Sequence, residues 1–202
     1  KKRLVVNLSN VQNITQLPED AFLNCYTLKK VVLPSTINAI GKGTFYCCKN
    51  LESIELPENV TYIGEVAFLG CEKITAITIP ENVTRIGKSA FYECKKLSEI
   101  TLGKNISTIE DAAFSNCFNI KKITILGNIT SIGDSIFYEC NSVKKVIIES
   151  DELFTEESFC NIIKQLKRVG KNVGYDLDIS KIKNITKLPE QIFEDHGNIN
   201  TI

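Results

Sequence analysis

The chain has 202 residues, with 24 Lys plus Arg balanced by 24 Asp plus Glu for a formal net charge of zero. That balance leaves no global field to draw nucleic acid or an anionic membrane, so a polyanion would have to be recognised locally. No apolar run nears the roughly 20 residues of a membrane-spanning helix, and no signal-peptide pattern opens the sequence. The absence of Met and the start at Lys1-Lys2-Arg3 read as a processed product or a piece of a longer protein.

Residues 1–27 read as an opening unit. In it Val6, Leu8, Val11, Ile14 and Leu17 lead into Pro18-Glu19-Asp20-Ala21-Phe22. Residues 28–150 then repeat one phrase at a fixed period of 23. Phe22, Phe45, Phe68, Phe91, Phe114 and Phe137 mark it, and each is followed three residues later by Cys25, Cys48, Cys71, Cys94, Cys117 or Cys140. A constant period between about 20 and 50 residues is the signature of a solenoid, in which each copy is one supersecondary unit stacked on the next.

Within a copy, positions such as Leu51, Ile54 and Leu56 form an L-x-x-I-x-L frame, the alternation of a short strand with one buried face. Pro34, Pro57 and Pro80 follow three of these strands, where a missing N–H ends the ladder. A second short strand ends at Ile40, Ile63, Ile86, Ile109 or Ile132. It is mostly followed by Gly41, Gly64, Gly87 or Gly133, read as turn glycines with positive φ. The Ala-Phe-x-x-Cys-x-x-Leu segment fits a single helical turn with Phe, Cys and Leu inward.

After Ile148 the phrase breaks. Residues 151–175 read as an enlarged rung with a helix over about 155–170. Its stripe is Phe159, Ile162, Ile163, Leu166 and Val169, closed by Gly170. Residues 176–202 restart the opening unit, with Ser180, Asn184 and Pro189 matching Ser9, Asn13 and Pro18. The whole reads as one solenoid, a segment of a larger array.

The phrase L-x-x-I-x-L-P-x-x-V-T-x-I-G-x-x-A-F-x-x-C, at Leu51 to Cys71 and again from Ile74 to Cys94, resembles the BspA-like (Treponema pallidum type) leucine-rich repeats. The resemblance implies an α/β repeat solenoid: a right-handed leucine-rich-repeat array of strand, turn, short strand and helical turn. It also implies a surface or secreted adhesion or binding protein with no catalytic residues to carry over.

Six cysteines in register invite disulfides, but each has an equivalent neighbour on both sides and nothing selects pairs. An inward ladder of free thiols is favoured. Without a C-x-x-C knuckle there is no zinc reading. Cys47 should point outward as the most reactive thiol, and His196, the only histidine, takes the Cys place in the last rung. Asn59, Asn82, Asn105 and Asn128 each open an Asn-x-Thr/Ser sequon. An inward amide ladder between turns is favoured over glycans there. Gly87-Lys88-Ser89 lacks the first glycine of a phosphate loop, Asp176-Leu177-Asp178 lacks the rest of a calcium loop, and no nucleophile–base set can be assembled.

The surface remains. Lys30, Glu99, Lys122 and Lys145 fall in one outward row of the first strands. Val32, Glu55, Thr78, Thr101, Thr124 and Ile147 fall in a second. Extended concave faces are what solenoids bind with, although the same rows also suit an ordinary solvated face. The lysine pairs at 121–122 and 144–145 read as a solvated patch rather than a polyanion site. The expectation is a non-catalytic recognition or adhesion solenoid that takes a protein ligand, with no cofactor, metal, nucleic acid or membrane insertion. A passive stalk or an intracellular scaffold are the alternatives.

Overall fold

The computed structural model describes residues 3–150, 155–167, 169–171, 173–182, 191–194 and 196–202. The restarted-repeat residues 183–190, including Asn184 and Pro189, and residues 151–154 lie outside the described residues. In chain order the elements are β1 (Leu4–Asn7), β2 (Leu28–Val32), β3 (Ala39–Ile40), β4 (Ser53–Ile54), β5 (Tyr62–Ile63), β6 (Arg85–Ile86) and β7 (Glu99–Leu102). There follow β8 (Thr108–Ile109), β9 (Lys122–Ile125), β10 (Ser131–Ile132), β11 (Lys145–Ser150), α1 (Glu156–Leu166), β12 (Tyr175–Ile182) and β13 (Ile199–Thr201).

Every pairing is parallel and links equivalent positions of successive rungs, as in Lys122↔Lys145 and Tyr62↔Arg85. The first strands form β1-β2-β4 and β13-β12-β11-β9-β7, and the second strands form β10-β8-β6-β5-β3. This is a parallel β-solenoid of stacked coils with one helix among its described residues.

The repeated apolar positions are the core. Leu28, Leu51, Ile74, Leu97, Ile120 and Val143 are all fully buried, as are Phe45, Phe68, Phe91 and Phe114. The phenylalanine rings stack from Phe22 to Phe137 at centroid spacings of 5.1–5.6 Å. That spacing follows the strand separation, so one ring per rung makes a continuous apolar column.

The structure departs from the sequence reading in three local features. The Phe–Cys segment is a chain of turns with left-handed residues on either side of each Phe, for example Gly43 and Cys47 (φ 60 and 53°) or Ser89 and Glu93 (φ 51 and 58°). Alternate N–H groups then leave the turn for the next rung: Gly43 N, Phe45 N and Cys47 N donate to Glu65 O, Ala67 O and Leu69 O at 2.9, 2.8 and 2.7 Å. A helical turn would aim those groups along its own axis and leave the rungs unbonded.

The glycines after the second strand have a different purpose from the one expected. Positive-φ glycines are Gly43, Gly70, Gly170 and Gly174, none of them in that row. A Cβ on Gly64 would instead meet Gly41 C at 2.7 Å, and one on Gly87 would meet Glu65 N at 2.6 Å. Close approach of the preceding backbone, not a left-handed turn, selects glycine there.

The first-strand sheet is also interrupted at residues 74–80, which make no ladder between β4 and β7. The row beside the gap is Ser53, Ala76 and Glu99, whose small or mismatched side chains give little cross-strand packing, and alanine is a weak strand former. Ser98 N and Ser98 Oγ, each donating to Thr75 O at 3.1 Å, pin the edge of that segment.

Helix α1 has three turns and buries Phe159, Ile162, Ile163 and Leu166. It is capped by Thr155, whose side chain accepts from Ser158 N at 3.1 Å, and carries Glu156 and Glu157 in its first turn. It stands where a further second strand would continue the sheet beyond β10. Its side chains bond the last regular rung: Ser158 Oγ donates to Ile129 O and Gln165 Oε1 accepts from Ile136 N.

Candidate binding surface

Among the residues expected on the concave rows, Lys30, Glu55, Thr78, Glu99, Thr101 and Lys145 are exposed, and Val32, Lys122 and Ile147 are half-buried. Thr124 is the correction: it is 8% exposed and offers no binding surface. Charge is segregated along this face. Glu55, Glu58, Glu81 and Glu99 make no ion pair among the described residues, and beyond them stand Lys122 and Lys145. Lys122 and Lys145 are cross-strand partners of like sign, and Lys145 Nζ lies 3.8 Å from Asp178 Oδ2. Like charges in register repel, and acidic cross-strand neighbours flank the pair, Glu99 opposite Lys122 and Asp176 opposite Lys145.

Sequence reasoning missed a groove of about 910 Å³ that opens where the sheet is interrupted. Its floor includes Ile77, Ile79, Ile106 and Leu126, and Glu81, Glu99 and Lys104 stand at its sides. The signal was present in the repeat. Pro34, Pro57 and Pro80 fill the turn after the first strand, and the same position in the next copy is Gly103. A Cβ built on Gly103 meets no atom within 4 Å. The lost prolyl ring leaves open space, and the groove runs through it.

The sequon asparagines are not inward. Asn59, Asn82 and Asn105 are exposed. Each Nδ2 donates to the carbonyl of the preceding rung: Ser35 O at 2.9 Å, Glu58 O at 2.8 Å and Glu81 O at 2.9 Å. Asn128 is half-buried and its Oδ1 accepts from Thr155 N at 3.4 Å. Thr61, Thr84, Ser107 and Thr130 run beside them, each hydroxyl donating to a carbonyl one rung earlier at 3.2–3.3 Å. The outward placement follows from Val60, Val83, Ile106 and Ile129, which take the inward direction at the next residue.

All eight cysteines are free. Cys48, Cys71, Cys94, Cys117 and Cys140 are fully buried, and each Sγ donates to the Phe carbonyl of the preceding rung at 3.1–3.3 Å. Cys25 is half-buried. Burial pushes the Cys48 and Cys117 thiols up to about 12 and drives Cys71, Cys94 and Cys140 well above the ordinary value. Cys47 is half-buried with its thiol also raised by desolvation, which lowers its thiolate fraction and removes the basis for calling it reactive. His196 is 6% exposed, its N–H bonds Phe193 O at 3.1 Å as the Cys N–H groups do, and its ring meets Phe193 edge-on.

Opposite charges recur at equivalent positions of adjacent rungs: Lys29–Glu52 at 3.1 Å, Lys42–Glu65 at 2.9 Å and Lys95–Glu72 at 3.2 Å. Across the second sheet, Arg85 lies 5.5 Å above the Tyr62 ring and bonds Glu110, whose Oε2 also accepts from Lys88 N. No group of three or more metal-ligating side chains converges among the described residues, and no helix there is long and apolar enough to cross a membrane.

No curated protein matches the chain in sequence. Among solved structures, the T. pallidum leucine-rich-repeat protein is 25% identical over 71% of this chain and 79% of that one, with a TM-score of 0.57. The pneumococcal vaccine antigen PcpA is 17% identical with a TM-score of 0.51, a likeness of fold. The match takes in 99% of this chain but only 40% of the antigen's length. The family described as BspA type leucine-rich repeat region matches in six copies over residues 4–84 and 61–200. With that match running nearly end to end, and with stacked coils that repeat its Phe, Cys and Ile positions, the chain belongs to the BspA-type leucine-rich-repeat family.

Proposed function

We propose that this chain is a non-catalytic recognition and adhesion solenoid, part of a larger cell-surface or secreted protein that binds a host or matrix protein on its concave sheet. The observation that supports it is the contrast between rows. Core positions keep their residue type from rung to rung, whereas the outward concave positions change from Lys30 to Ser53, Ala76, Glu99 and the half-buried Lys122. Packing cannot account for side chains that point to solvent, and solenoids bind through such extended faces. Membership of the family is consistent with a binding role.

The experiment is a pull-down from a panel of matrix and host-cell surface proteins, with the wild-type chain and the Lys122→Glu/Lys145→Glu variant. Capture by the wild type and at least a fivefold loss in the variant is the expected result. Undiminished capture removes the ligand from this end of the sheet, and capture of nothing by the wild type favours a spacer.

A further inference from the structure

We infer that the groove opened at Gly103 takes an extended, cationic protein segment with alternating apolar side chains, an inference that rests on the protein-recognition reading. The interrupted strand supplies the first observation. The N–H and C=O groups of Ala76, Ile77 and Thr78 make no backbone bond, so unpaired main chain borders the groove. The second is charge. Glu149 and Lys181 neutralise each other at 2.5 Å, which leaves Glu81 and Glu99 against Lys104 at the groove, with the unpaired Glu55 and Glu58 just beyond. The third is composition: an apolar floor of Ile77, Ile79, Ile106 and Leu126 suits aliphatic side chains, and no aromatic ring lines it to stack on a sugar.

The groove crosses the rungs of Ala76 to Lys181, roughly 20 Å at the ordinary strand separation. An extended segment of about six residues has that length. Its alternate side chains would enter the floor while the intervening ammonium or guanidinium groups face Glu81 and Glu99.

Gly103 supplies the structure-neutral control. It has no positive φ, no backbone acceptor for its N–H and open space at its Cβ, and three copies of the repeat already carry proline there. Gly103→Pro therefore keeps the fold while narrowing the groove, and Gly103→Leu is a second variant that fills it without the proline constraint.

The test is fluorescence anisotropy at low salt with three labelled hexapeptides: alternating leucine and lysine, alternating leucine and glutamate, and alternating serine and lysine. The leucine–lysine peptide is expected to bind at least fivefold more tightly than the other two. Gly103→Leu and Glu81→Gln/Glu99→Gln should each weaken it at least fivefold with the melting temperature unchanged. Binding of either other peptide as tightly as the leucine–lysine peptide, no binding of the leucine–lysine peptide, or indifference to both groove variants overturns the inference. Loss of pull-down in the Lys122→Glu/Lys145→Glu variant alongside any of those results would keep the recognition reading while rejecting this ligand class.

Discussion

At the scale of the residue, the thiol column sets a pH limit on the fold. Each of the five buried cysteines donates to a phenylalanine carbonyl, and burial holds Cys48 and Cys117 up to about 12. In the unfolded chain a thiol ionises near 9. Below that pH both states keep the proton and the native bonds contribute fully. Above about 9 the unfolded chain releases protons the folded chain retains, so stability falls as the pH rises, by about 1 kcal/mol per pH unit for each thiol that stays protonated. Guanidinium unfolding between pH 7 and 11 should show a flat region giving way to a steep decline above about 9. Cys94→Ala should make that decline shallower, and an unchanged slope would remove the thiols as its cause. The same burial predicts that a disulfide-exchange reagent at neutral pH leaves these five unmodified.

At the scale of the element, helix α1 shows how a coil is ended on one side without exposing its backbone. The second-strand sheet stops at β10, and α1 is fastened beside it by Ser158 Oγ, which donates to Ile129 O. Ser158 is 2% exposed, so its removal leaves that carbonyl with no partner. Ser158→Ala should therefore cost about 1–3 kcal/mol, more than the roughly 1 kcal/mol of losing the Thr155 cap in Thr155→Ala. Denaturant midpoints of the two variants check the order, and an equal effect would mean Ser158 matters only as part of the cap.

The stripe of Phe159, Ile162, Ile163 and Leu166 made this helix legible in sequence, because amphipathic spacing encodes both the element and its buried face. The turn segment was harder. Phe and Cys at i and i+3 fit a helical turn equally well, and Val66, Ser89 and Ala112 give no sign of the left-handed backbone they adopt (φ 49, 51 and 54°). Bonds to the next rung impose that conformation, and such bonds are not encoded locally. The groove failed to appear for a related reason: it comes from what Gly103 lacks beside Pro80, a comparison between copies rather than a motif within one.

At the scale of the whole molecule, each rung touches only its neighbours, so stability propagates along the stack. Opposite charges on adjacent rungs, such as Lys29–Glu52 and Lys42–Glu65, add little individually because they are exposed. Cooperativity instead rests on the continuous columns, and the Phe column is the clearest. Phe91 stacks on Phe68 at 5.2 Å and on Phe114 at 5.1 Å, whereas Phe22, half-buried at one end of the column, stacks on Phe45 alone. Phe91→Ala opens a cavity between two stacks and should cost about 3–5 kcal/mol. It weakens both interfaces of a central rung, so the flanking segments should unfold in separable transitions. Phe22→Ala should fray one end and leave the main transition nearly unmoved. Hydrogen exchange of the Phe45, Phe68 and Phe114 amides, which bond Ala67, Ala90 and Ile136 carbonyls, reads both outcomes. A central variant that still unfolds in one transition, with uniform exchange along the stack, would show that the first-strand and second-strand ladders carry cooperativity without the rings.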